Sequence, residues 1–132
     1  MKSIIEELKS KRDFYAEKGA TVEQIEKAEK ELELRFAEDY KEYLQEFGAV
    51  SCSGHELTGF SADASLDVVR VTKENIKRNP NIEKSLYVIE ETHMDGIVIW
   101  QNESGEIYSA EYKDEPRRAF GSLAEYIAAF EE

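Results

Sequence analysis

An α+β fold is what this chain predicts: a single domain over residues 1–132, with N-terminal helices and a C-terminal helix packed on a curved, mainly antiparallel sheet. Two switches of hydrophobic period carry the reading. Apolar residues recur at helical spacing between Thr21 and Gly48, break into short runs bounded by turn residues between Leu86 and Tyr112, and return to helical spacing from Ser122 to Phe130. No repeat or second domain interrupts that order.

Lys2 to Lys18 reads as a first helix, with Ile4, Ile5, Leu8 and Tyr15 partly aligned, Lys9, Lys11 and Arg12 on a solvated face, and Gly19 as its stop. Thr21 then caps a second helix, because its side chain can accept from the N–H of Gln24 while Gln24 reaches back. Val22, Ile25, Ala28 and Leu32 share one stripe of that helix. In the next, Phe36, Tyr40, Tyr43, Leu44 and Phe47 repeat at helical spacing, and Gly48 can adopt the positive φ that ends it. Two helices are thereby made to share one core.

The stretch AVSCSGHELTGFSADAS is small and glycine-rich and reads as the longest loop, broken by a short strand near His55 to Leu57. LDVVRV follows as an apolar run, Thr72 is placed to cap a short helix, and Pro80 ends that helix at Asn79. Leu86-Tyr87-Val88-Ile89 and Ile97-Val98-Ile99-Trp100 are strands separated by Met94-Asp95-Gly96, and Ile107 to Tyr112 is a third after Asn102-Glu103-Ser104-Gly105. Both pleat faces of the first two are apolar, so one face is expected on the helices and the other at least partly covered. Ser122-Leu123-Ala124-Glu125 starts the closing helix, whose stripe is Leu123, Tyr126, Ile127 and Phe130.

Composition narrows the function. Twenty-nine acidic against 17 basic side chains give a formal charge of −12, which repels phosphate backbones and anionic lipid and predicts no nucleic-acid or membrane partner. The same charge steers a basic partner toward the chain. A lone cysteine, Cys52, and the lack of a secretory leader pattern place the chain in a reducing cytoplasm. No window approaches the ~18 consecutive apolar residues of a membrane span.

Catalytic or metal chemistry has little to work with. The two histidines are His55 and His93. His93 beside Asp95 at a hairpin tip is the nearest approach to a hydrolase pair, but the spacing fits no metal motif, and His55-Glu56 lacks the second histidine of a zinc-protease helix. Cys52 is flanked by serines rather than cations, and Gly48, Gly54 and Gly59 do not form a phosphate cradle. No cofactor is implied. Trp100 and Tyr108, at alternating strand positions, read as packing rather than a ligand platform. Asp63, Asp67, Glu90, Glu91 and Asp95 cluster near loop and strand ends and are the candidate partner-binding residues; a scattered solvated set is the plainer reading of them.

With the aromatic EDYKEYLQEFG, the later LDVVRVT, the strand around DGIVIW and the terminal SLAEYIAAF, residues 15 to 130 resemble the SUKH superfamily, the Smi/Knr-like proteins. The resemblance implies a non-enzymatic binding module. In its bacterial form it implies an immunity protein that neutralises a cognate toxin, often a nuclease and therefore basic; in its fungal form, a scaffold or regulator of cell-wall and signalling complexes. A small hydrolase using His93 and Asp95 is the third expectation. Because the apolar stripes of residues 21–48 are committed to packing, the partner surface is sought on the loop after Gly48 and on the meander.

Overall fold

The computed structural model describes residues 3–130. Its helices are α1 (Ile4–Lys9), α2 (Val22–Leu32), α3 (Glu38–Phe47), α4 (Val68–Arg78) and α5 (Leu123–Ala128), with a 3-10 turn at Ala64–Leu66. Strands β1 (Tyr15–Ala16), β2 (Val50–Cys52) and β3 (His55–Leu57) form one antiparallel sheet. Strands β4 (Tyr87–Glu91), β5 (Ile97–Gln101), β6 (Ile107–Glu111) and β7 (Arg117–Phe120) form a second, an antiparallel meander. The α+β class holds, with the strands divided between two sheets. Thr58 joins them: its N–H donates to the Ile89 carbonyl at 2.8 Å and its hydroxyl to the Val88 carbonyl at 2.7 Å.

Helix α2 starts as its sequence dictates. Thr21 Oγ1 accepts from Gln24 N at 3.1 Å, and Gln24 Oε1 accepts from Thr21 N at 2.8 Å, the reciprocal capping box. Ile25 and Ala28 are buried against α3, whose Tyr40, Tyr43 and Phe47 build an aromatic column with Phe36, just before the helix, and Tyr87 of β4. Each buried phenol finds a partner, as a low-dielectric interior requires: Tyr43 donates to the Thr58 carbonyl at 2.8 Å and Tyr87 to Gln101 Oε1 at 2.7 Å. The column packs α3 on both sheets.

Residues of β5 alternate between two cores. Ile97 and Ile99 face the larger one, built with α1, α2, α3 and α5, while Val98 and Trp100 face a smaller one with Val71, Leu86, Val88 and Ala110. Both faces of the meander are therefore covered, and Trp100 and Tyr108, paired across β5 and β6, serve packing.

Five local expectations are corrected. The first helix ends at Lys9, because Ser10 caps it and Asp13 turns the backbone to φ 56, so that Tyr15 and Ala16 pair with Ser51 and Val50 instead of continuing the helix. The first half of the expected loop is the β2–β3 hairpin. Ser53 and Gly54 both take positive φ, 49 and 80, the requirement of a two-residue type I′ turn. Helix α4 begins at Val68, not after Thr72: Asp67 Oδ2 accepts from Arg70 N at 3.1 Å, and Thr72 lies inside, its hydroxyl accepting from Val88 N at 3.0 Å. A fourth meander strand, β7, had no apolar run to announce it. Ser122 caps α5, yet Glu125 reaches Gly121 N rather than Ser122 N.

Gly48 ends α3 in an unusual way. At φ 72 and ψ −66 it is the centre of a γ-turn, closed by a 2.8 Å bond from Ala49 N to the Phe47 carbonyl. A Cβ there would lie 2.2 Å from the Lys18 carbonyl oxygen, and one on Gly59 would lie 1.6 Å from that of Gly48. This backbone crossing brings the chain after β3 onto the end of α3.

Candidate partner-binding surface

Asp63 and Asp67 act first as caps. Asp63 Oδ1 accepts from the Ser65 hydroxyl at 2.7 Å and from Ser65 N at 3.0 Å, and these bonds, the hydroxyl one foremost, hold its carboxyl below the usual range. Asp67 caps α4. Glu91 is half-buried, accepting from Asn75 Nδ2 at 2.9 Å with Arg78 at 3.8 Å. Asp95 stands exposed at the β4–β5 turn with φ 54, next but one to exposed His93 at φ 58. The first pair precedes α4, whereas Glu91 meets the helix at Asn75 and Arg78, toward its other end. The 11-residue helix between these points, about 16 Å long, bears exposed Arg70, Lys73, Lys77 and Arg78, so the four carboxylates do not form one patch.

Glu90 is elsewhere. Pairing passes from Val88–Trp100 to Glu90–Ile99, so Ile89 is the additional residue of a β-bulge. Strict alternation would turn Glu90 to the Val88 face. The bulge instead sends it under α5, where it is 3% exposed. There His55 Nδ1–H donates to its two oxygens at 3.0 and 3.1 Å, Glu56 N donates at 3.2 Å, and the Tyr126 hydroxyl donates to Oε1. His55 stacks flat on Phe130, ring centroids 3.7 Å apart. Burial, with the carboxylate second, pushes the Tyr126 phenol far above its ordinary value. Glu90 thus ties β3, β4 and α5 together from within and offers no carboxylate to a partner.

His93 and Asp95 make no hydrogen bond to each other. Among the described residues no three His, Cys, Asp or Glu side chains are grouped to hold a metal, and no helix is long and apolar enough to cross a membrane.

A further acidic surface lies on α2 and α3, outside the loop and the meander. Glu23, Glu26, Glu31, Glu33, Glu38, Glu42 and Glu46 are exposed there, against exposed Lys27, Lys30 and Arg35. Between the helices runs an open groove with Val22, Ile25 and Leu34 among its apolar lining and Glu26, Glu33, Lys30 and Arg35 among its charged lining. Val22, expected in the core stripe, is 52% exposed. The signal was legible: Glu38, Glu42 and Glu46 follow at four-residue steps and so share one face.

Residues 1–130 match the model of SUKH_5, SMI1-KNR4 cell-wall. The chain belongs to that family. No curated protein matches it. The SUKH_5 match spans all the elements described, so the aromatic α3, the meander and the closing α5 that carry the resemblance are parts of one family fold.

Proposed function

We propose that this SUKH_5 chain is a non-enzymatic protein-binding module of the immunity type, which neutralises a basic, nuclease-like toxin by occupying its phosphate-binding cleft. The exposed carboxylates of α2 and α3, in a chain of net charge −12, carry this reading. A cleft built to hold phosphates concentrates positive potential, and carboxylates fixed on two packed helices compete for it without a disordered segment to fold. An interface of about 800 Å² per partner is a tenth of the chain's 7556 Å² surface. Asp63, Asp67, Glu91 and Asp95 extend the acidic set around α4, and Glu90 supports the adjoining sheet from inside.

Co-expression with the toxin-like product of a neighbouring gene tests the proposal. Rescue of growth and co-purification are expected; continued cell death without co-purification sinks it. The cell-wall element of the family's description favours a second reading, a scaffold or regulator of cell-wall complexes through protein contacts. A neighbourhood of cell-wall genes with no toxin partner would support that reading instead.

A further inference from the structure

We propose a second docking surface, opposite in sign to the first: the cationic and aromatic patch formed by Lys77 and Arg78 at the end of α4 with Tyr112 and Lys113 after β6, which fits an acidic protein segment carrying an apolar anchor. These four residues line one open depression, and none is a carboxylate. In a chain with 29 acidic side chains that composition is a local reversal of sign. Of the nearby acids, Asp95 stands exposed on the β4–β5 turn, and the others are engaged elsewhere. Glu91 is held by Asn75 and Arg78, while Asp114 and Glu115 line a separate depression with Pro116 and Arg117.

Cations in a last helical turn are expected from the helix dipole alone and by themselves indicate nothing. Lys113 is different, because it belongs to another element. Asn79, 2% exposed, donates from Nδ2 to the Asp114 carbonyl at 2.8 Å, and Asn81 donates from Nδ2 to the Lys113 carbonyl. The turn after β6 is thereby bonded to the end of α4, and its lysine joins Lys77 and Arg78 on a preformed surface.

Tyr112 is 58% exposed, yet its place is fixed. Its N–H donates to the Gly96 carbonyl at 3.1 Å, and a Cβ on Gly96 would lie 2.4 Å from Tyr112 Cε2. Only glycine allows the ring to lie on the β4–β5 turn. Met94 of the same turn is 66% exposed, and Ile76 of α4 is exposed as well. Tyrosine anchors binding hot spots and methionine adapts to varied partners. A duplex or a bilayer surface calls for a longer basic tract and would meet the repulsion of the whole chain, so the occupant is an acidic protein segment.

The test uses the full chain. A fluorescein-labelled Glu-rich peptide containing leucines is titrated by anisotropy, alongside the same peptide with glycine for leucine, a single-stranded DNA oligonucleotide and phosphatidylserine vesicles. The leucine peptide is expected to bind most tightly and to shift the amide resonances of Lys77, Tyr112 and Lys113. Lys77→Glu with Lys113→Glu, at side chains in no described ion pair, weakens it about tenfold, and Tyr112→Ser about fivefold, with the melting temperature unchanged. The proposal is overturned by binding that the variants leave intact, by shifts confined to another surface, by tighter binding of DNA or vesicles, or by self-association through the same amides. It stands independently of any toxin partner.

Discussion

The hydroxyl of Tyr126 on α5 donates to Oε1 of Glu90 on β4, a bond between residues 36 apart in sequence that fixes the closing helix to the meander. His55 of β3 donates to the same carboxylate. A buried charge is tolerated only when paired and hydrogen-bonded, and Glu90 has three donors around it. The bulge at Ile89 is what delivers the carboxylate to them.

Removing the acceptor leaves the Tyr126 hydroxyl and the Glu56 N–H without their bonds. Glu90→Ala is therefore expected to lower unfolding free energy by about 2–4 kcal/mol, and Tyr126→Phe, which deletes one donor, by about 1 kcal/mol. Urea denaturation at neutral pH measures both. If Glu90→Ala proved as mild as a surface substitution, the cluster would not be what joins α5 to the sheet.

Tyr40, Tyr43, Tyr87 and Tyr126 supply a pH dependence. Burial raises the pKa of all four well above the ordinary value of 10.0. Unfolding exposes phenols that ionise near that ordinary value, so the unfolded state releases protons first. The resulting stability is fully present below about pH 10 and falls as pH rises beyond it. Denaturation midpoints measured on an alkaline series should hold steady to about pH 9.5 and then drop, with absorbance of phenolate rising together with loss of helix. Phenolate appearing in full while the helix signal persists would contradict the buried column.

At the Gly48–Gly59 crossing, backbone faces backbone with no room for a side chain. Gly59→Ala puts a Cβ against the Gly48 carbonyl, and Gly48→Ala adds a clash with Lys18 to a positive φ. Each is expected to destabilise by at least about 2 kcal/mol. Gly54→Ala has open space at φ 80 and bears only the conformational penalty, about 1 kcal/mol. Thermal melts of the three variants should rank in that order, and equal shifts would place the crossing elsewhere.

What the sequence disclosed follows from how local each determinant is. The Thr21 box, the aromatic spacing of α3 and the extended Asn79 before Pro80 depend on neighbours within a turn, and each was readable. The Ser53-Gly54 turn is equally local, but Val50 to Leu57 lacks the long apolar run that marks a strand pair. The cap of α4 is obscured for another reason: Thr72 has cap chemistry, but its hydroxyl is engaged by β4, sixteen residues on. Glu90 could not be placed from pattern at all. A bulge is invisible to strict alternation, so a carboxylate at a strand end read as a surface group when its partners came from β3 and α5.

Binding by α2 and α3 can be separated from folding. Asp67→Ala mixes the two, since losing the α4 cap costs about 1 kcal/mol whatever the partner does. Glu26, Glu42 and Glu46 are exposed and in no described hydrogen bond or ion pair. Exchanging all three for lysine is expected to change stability by about 1 kcal/mol at most. The same exchange should slow association with a cationic partner about tenfold at low salt, because steering acts through the summed field before contact. Adding salt shortens the Debye length from ~30 Å at 0.01 M to ~3 Å at 1 M, so the gap between wild type and variant should close as ionic strength rises. Stopped-flow association rates over that range decide the matter. A variant as fast as wild type at low salt would remove α2 and α3 from the encounter surface, and a deficit that persisted undiminished at high salt would assign them short-range contacts rather than steering.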